Sequence, residues 1–257
     1  MRKSVILEIC ADSVESALAA ERGGAHRIEL CSGLVEGGTT PSCGLISTVR
    51  NKVSIPIHVM VRPRHGDFCY GTDDYEAMKQ DVLTARRLGA DGVVFGILKQ
   101  DGRVDMDRTR QLLKLVRPLK ITFHRAFDMS RNLDEALETL IATGVDRILT
   151  SGGKQRVEDG IPTVKALAKS AAGRLVIMAG GGISESNAHR VIRDSGVAEL
   201  HASASVLVSS PMLYRNENIA LGGIKGREYH RALVTEDKVR RLLLAAANGN
   251  CHTEKAR

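Results

Sequence analysis

Short apolar runs alternate along the chain with longer stretches whose apolar residues recur at helical spacing. The runs predict strands at Val5–Cys10, His26–Cys31, Ile57–Arg62, Gly92–Ile97, Lys120–Arg125, Arg147–Thr150, Arg174–Ala179 and Ala198–His201. Between them the pattern predicts a first helix capped by Asp12, with Glu15 in the capping-box position and Gly23-Gly24 as its stop. Further helices are expected over Cys43–Arg50, Asp73–Leu88, Asp105–Arg117, Leu133–Thr143, Ile161–Ala171 and Ser184–Ser195. The segment from Ser32 to Thr40 is polar and glycine-rich, and reads as a flexible lid or binding loop.

A weak repeat organises these elements. Gly24-Ala25-His26-Arg27-Ile28, Gly89-Ala90-Asp91-Gly92-Val93, Gly144-Val145-Asp146-Arg147-Ile148 and Gly196-Val197-Ala198-Glu199-Leu200 each run a helix end into a strand. They recur about every 50 to 65 residues, the length of two βα units, so four of them imply eight units. Crossovers this short require parallel neighbours with right-handed connections. The fold class expected is α/β: a single parallel eight-stranded (β/α)8 barrel over residues 1–245, with short or irregular second and eighth helices. A polar, disordered tail is expected at 246–257, and an open doubly wound sheet is the alternative.

Composition narrows the function classes. With 43% hydrophobic and 26% charged residues in 257, the chain can bury a large core. No apolar run approaches the ~18 residues of a membrane span, and no cleavable export signal is visible, so no membrane partner is expected. A net charge of +7 suits polyanions, yet the basic residues are dispersed, tryptophan is absent and only 3% of residues are aromatic. That combination disfavours nucleic acid. Five scattered cysteines, an odd number, point to free thiols in a reducing, cytoplasmic setting. Cys43, Cys69 and Cys251 have no evident partners and are assigned no role.

In a barrel the site belongs where the strands end and the βα loops gather. Polar residues there are Glu8, Cys10, Glu29, Cys31, Arg62, His124, Arg125, Asp128, Ser151, His201 and Ser203. The two-residue period puts Glu8 with Cys10, and Glu29 with Cys31, on one face of their strands. Buried carboxylates need partners, so Glu8 and Glu29 are expected in the lumen beside Arg27, Arg62 or His124. Two chemistries fit. Cys10 and Cys31 end adjacent strands at matching places, and paired thiolates at low coordination number suit Cu(I), whereas no CxxC or HExxH spacing favours zinc. Alternatively Gly180, Gly181, Gly182 and Ser203 form a possible anion-binding site for a phosphorylated or carboxylated substrate, the catalytic candidates being Glu8, Glu29, Arg62, His124, Arg125, Asp128 and His201. Packing cysteines and structural ion pairs explain the same residues without chemistry, and the residues alone leave this open.

Glu8-Ile9-Cys10, Arg27-Ile28-Glu29-Leu30-Cys31-Ser32, Glu36-Gly37-Gly38-Thr39-Thr40-Pro41-Ser42, Arg62-Pro63-Arg64, Gly66-Asp67-Phe68, Thr122-Phe123-His124-Arg125-Ala126-Phe127-Asp128, Leu149-Thr150-Ser151-Gly152 and Gly180-Gly181-Gly182-Ile183 together resemble the CutC family of copper homeostasis proteins. The resemblance implies a cytoplasmic (β/α)8 barrel, a homo-oligomer (dimer or tetramer), and copper as Cu(I) held by Cys10 and Cys31. Ala179 stands where the family often has proline. The last dozen residues lie outside the match.

Overall fold

Alternation along each strand sorts side chains between two interiors. The structure, a computed structural model, describes residues 5–216, 218–219, 221 and 227–247. Strands β1 (Ile6–Ala11), β2 (Arg27–Leu30), β3 (Ile57–Met60), β4 (Gly92–Phe95), β5 (Lys120–Phe123), β6 (Arg147–Thr150), β7 (Val176–Gly180) and β8 (Glu199–Ala202) pair in parallel, each with the next. Glu8 of β1 stands opposite His201 of β8, so the sheet closes into a (β/α)8 barrel and the open-sheet alternative is excluded.

One interior lies between the barrel and its helices. Leu7, Ile9, Ile28, Leu30, Phe95 and Phe123 are fully buried there, each contributing roughly 1.5–3 kcal/mol of transfer free energy. The helices covering it are α1 (Val14–Arg22), α2 (Cys43–Arg50), α3 (Thr72–Arg87), α4 (Met106–Val116), α5 (Leu133–Thr143), α6 (Val157–Ala171), α7 (Ala188–Ser195) and α8 (Glu236–Ala247). None among the described residues is long and apolar enough to cross a membrane. The other interior is the lumen, where the alternate positions Glu8, Arg27, Glu29, His58, Thr122 and Arg147 are buried and polar.

Several boundaries differ from expectation for physical reasons. The cap of α1 is Ser13, whose hydroxyl accepts from the Ser16 amide, and not Asp12. Helix α6 starts four residues before the expected Ile161, at Val157, because Gly160 lets its first turn press against the Ser151 carbonyl. Residues 184–187 form a turn ahead of α7, held by the Ser184 amide donating to Asn187 Oδ1. Strands β3 and β5 stop at Met60 and Phe123, leaving Arg62, His124 and Arg125 in the loops beyond them.

The segment after β8 was expected to hold a short or irregular helix. It carries instead an antiparallel pair, β9 (Ser205–Ser209) with β10 (His230–Val234), and then α8, a regular helix of 12 residues. Helix α8 extends to Ala247, two residues into the expected tail. Residues 248–257, including Cys251, lie outside the described residues.

Candidate metal centre and mouth cavity

Register alone assembles the lower layer of the site. Glu8 is flanked by Arg27 on β2 and His201 on β8, so a guanidinium and an imidazole meet one carboxylate from both sides. Arg27 donates to Glu8 and reaches Glu199 at 2.8 Å; His201 Nδ1 lies 2.8 Å from Glu8 Oε1. Arg147 clamps Glu199 from β6 with two bonds, 2.6 and 3.1 Å long. Burial opposes the charge on Glu8, but Arg27 and then His201 hold its carboxyl well below the usual carboxylate range. His201 is also buried, yet Glu29 and Glu8 raise its pKa above the ordinary imidazole value. The lumen is filled by mutually neutralising charges, which is how ions tolerate the absence of water.

The next layer holds the thiols. Cys10 lies opposite Glu29 in the β1–β2 register, and the Cys31 amide donates to the Ala11 carbonyl one step higher. The two cysteines therefore do not end their strands at the same level, as their positions in sequence suggested. Stagger and side-chain direction nevertheless bring Cys10 Sγ and Cys31 Sγ within 3.3 Å, both buried and both free of disulfides. Hydrogen bonding to Cys31, then burial, pushes the Cys10 thiol well above its ordinary pKa. Met60 packs on the pair, and one carboxylate oxygen of Glu29 lies within 4.8 Å of both sulfurs. Glu8, Glu29 and His201 also converge within 4.8 Å, and there Glu8 already accepts from Arg27 and lies against His201.

Above the thiols opens a cavity of about 270 Å³ walled by Cys10, Glu29, Arg62, His124, Arg125, Gly181, Gly182, His201 and Ser203, with Leu34, Met60, Phe68, Leu149 and Ile183 supplying apolar surface. Ala126 N–H donates to His124 Nδ1, so the neutral ring carries its proton on Nε2. Burial, reinforced by the nearby Arg62 cation, drives the His124 pKa down to about 3. The Phe68 ring leans on His124, centroids 4.9 Å apart, and the Arg62 guanidinium sits 5.1 Å over Phe68.

The expected site residues divide into three groups. Cys10, Glu29, Arg62, His124, Arg125, His201 and Ser203 share the cavity wall, while Glu8 and Cys31 lie beneath it. Gly180 does not reach the cavity; it ends β7, where a Cβ would come 2.6 Å from Leu149. Asp128 is no free acid or base. Its oxygens accept from Thr150, Ser151, Gly153 and Arg125, which fixes the β6 loop. Arg62 is not a free clamp either, since its terminal nitrogens donate to the carbonyls of Glu36, Gly38 and Gly66. A flexible lid or binding loop was expected here; those bonds pin the glycine-rich loop, with its 3-10 turn at Leu34–Glu36, and its Leu34 and Gly37 line the cavity. The partners foreseen for the two carboxylates hold for Glu8 with Arg27; Glu29 pairs with His201 at 3.5 Å, and with neither Arg62 nor His124.

Sequence reasoning missed His58, Arg147 and Glu199, although each occupies a lumen position of its strand by period two. It also missed the apolar wall contributed by Phe68 and Leu149.

Fold and site define a closed (β/α)8 barrel with paired free thiols beneath a polar cavity at the C-terminal ends of its strands. Within that class the chain belongs to the CutC family, whose model matches residues 5–206. It is 48% identical to a Homo sapiens protein named copper homeostasis protein cutC homolog, over 95% of this chain and 89% of the other. A Bacteroides thetaiotaomicron CutC family protein is 46% identical, over 92% and 96% of the two chains. Among solved structures, that of a copper homeostasis protein CutC from Streptococcus agalactiae superposes with a TM-score of 0.74 at 33% identity, covering 77% of this chain and 97% of its own.

Proposed function

We propose that this protein serves copper homeostasis by binding Cu(I) as cargo through the thiolates of Cys10 and Cys31. The observation that carries the reading is the 3.3 Å approach of two reduced, buried sulfurs at the base of the mouth. One ion with metal–sulfur bonds of about 2.3 Å can span such a pair after a small rotation of either side chain. The donor set also fits: two thiolates beside a thioether suit a soft monovalent ion, and of the carboxylates nearby Glu8 is engaged by Arg27 and His201. Because Cys10 holds its proton firmly, an entering cation must displace it, which favours ions with strong affinity for sulfur.

The names of the similar proteins support copper as the ion. Cys10, Cys31, Cys43 and Cys69 all carry free thiols, which supports a reducing compartment such as the cytoplasm. Exposed apolar side chains on and beside the β9–β10 unit, Leu207, Leu213, Tyr214 and Leu221, support self-association as a dimer or tetramer.

The test is a Cu(I) titration against a competing chelator under reducing conditions. The expected result is one ion per chain, with affinity about a hundredfold lower or worse in Cys10→Ser/Cys31→Ser. An unchanged affinity in a folded double variant rejects these residues as ligands.

A further inference from the structure

The mouth cavity is larger than a metal ion requires. Its volume of about 270 Å³ compares with about 30 Å³ for a water molecule in the liquid, and approaches the lower end of ordinary small-ligand pockets.

Its walls are also unusual in polarity. Buried polar atoms in folded proteins nearly always find a partner, and each exception calls for a reason. Among the described residues, buried side-chain atoms without a hydrogen-bond partner include Glu29 Oε1, Arg62 Nε and His124 Nε2, and all three belong to residues of this one cavity wall. These three residues are between 2% and 5% exposed, so solvent does not supply their missing partners directly.

The orphan atoms specify a ligand. His124 Nε2 is a donor, because Nδ1 is taken by the Ala126 amide. Arg62 Nε is a donor by its nature. Arg125 adds a third: its Nε and Nη2 are spent on Asp128, Ser151 and Lys154, while its Nη1 makes no hydrogen bond among the described residues and lies beside Gly181. Opposing these donors, Glu29 presents an acceptor, since His201 approaches only its other oxygen. Three N–H donors, two of them on guanidiniums, ask for an anionic oxygen pair; the lone acceptor asks for a hydroxyl. The apolar surface of Leu34, Phe68 and Ile183 leaves room for a short carbon skeleton between them.

We propose that the mouth cavity binds a small hydroxycarboxylic acid, its carboxylate facing His124, Arg62 and Arg125 and its hydroxyl donating to Glu29. The site adjoins the copper pair without coinciding with it: Cys10 and Glu29 belong both to its wall and to the converging metal-ligand groups, whereas Cys31 does not contribute to the wall and none of the three donors lies among those groups. Gly96 protects it, because a Cβ there would fall 2.6 Å from the His124 ring.

The test uses the metal-free, reduced full chain and calorimetric or NMR titration with four probes: L-lactate and L-malate, each paired with its deoxy analogue, propionate and succinate. A hydroxy acid is expected to bind saturably and at least about tenfold tighter than its deoxy partner, because only the hydroxyl satisfies Glu29. His124→Asn is the matching variant. Its side-chain oxygen can still accept from the amide two residues on, as an Asx turn does, while no N–H remains where Nε2 lay. The expected loss in hydroxy-acid affinity is about tenfold or more, with cooperative thermal unfolding retained. Absence of saturable binding by both hydroxy acids overturns the proposal, as does equal binding of hydroxy acids and deoxy analogues, or an unchanged affinity in folded His124→Asn. The paired-probe comparison is read on the unaltered protein and decides the matter where the variant does not fold.

Discussion

The imidazoles of His58, His124 and His201 share one barrel and are driven in opposite directions by their surroundings. Burial lowers His58 to about 4 and, with help from Arg62, His124 to about 3. Both rings are neutral in the folded and unfolded chain above about pH 6.5. Below that, the unfolded chain takes up protons that the fold refuses, so stability falls as pH drops from about 6.5 toward 4 and then 3. The slope approaches about 1.4 kcal/mol per unit for each ring. His201 has the opposite sign. Its pKa is raised by Glu29 and Glu8 against burial, so its contribution is complete below about 6.5 and fades as pH rises through its folded value. Two depressed groups outweigh one raised one on the acid side. Urea unfolding between pH 7 and 5 is therefore expected to show falling stability, and His58→Gln is expected to flatten the dependence. A stability that rises on acidification contradicts this assignment.

At the scale of elements, glycine acts where a Cβ has no room. Gly160 in α6 would place a Cβ 1.8 Å from the Ser151 carbonyl oxygen, whereas Gly44 in α2 is exposed and meets nothing closer than Ser42 Oγ at 3.9 Å. Gly160→Ala is expected to destabilise by about 1–3 kcal/mol or more, since backbone must move. Gly44→Ala is expected to stabilise by about 0.5–1 kcal/mol through helix propensity. Denaturant midpoints of the two variants check both signs. Elements with strong periodic signatures were legible in the sequence: α2, α5 and β6 have their expected bounds. The β9–β10 unit was not, because its strands are half-exposed and carry serine, histidine and arginine among their apolar residues.

For the molecule as a whole, closure was legible from the glycine-marked helix-to-strand junctions, and Cys10 and Cys31 from the two-residue period. Which groups meet inside the cylinder was not. The Arg27 contact to Met178 at 3.3 Å and the Arg147 bonds to Glu199 depend on stagger between strands, which no local pattern encodes. Self-association belongs to this scale too. Light scattering is expected to report an assembly larger than one chain, and Leu213→Asp/Tyr214→Asp to shift it toward the monomer; a monomer for the unaltered protein contradicts the role given to this apolar surface. The central claim is that sulfur from neighbouring strands receives Cu(I), and X-ray absorption fine structure at the copper edge of the loaded, reduced protein tests it most directly. The account predicts at least two sulfur scatterers at about 2.3 Å that are lost in Cys10→Ser/Cys31→Ser. A shell of nitrogen and oxygen alone, or a sulfur shell indifferent to that double substitution, would contradict it.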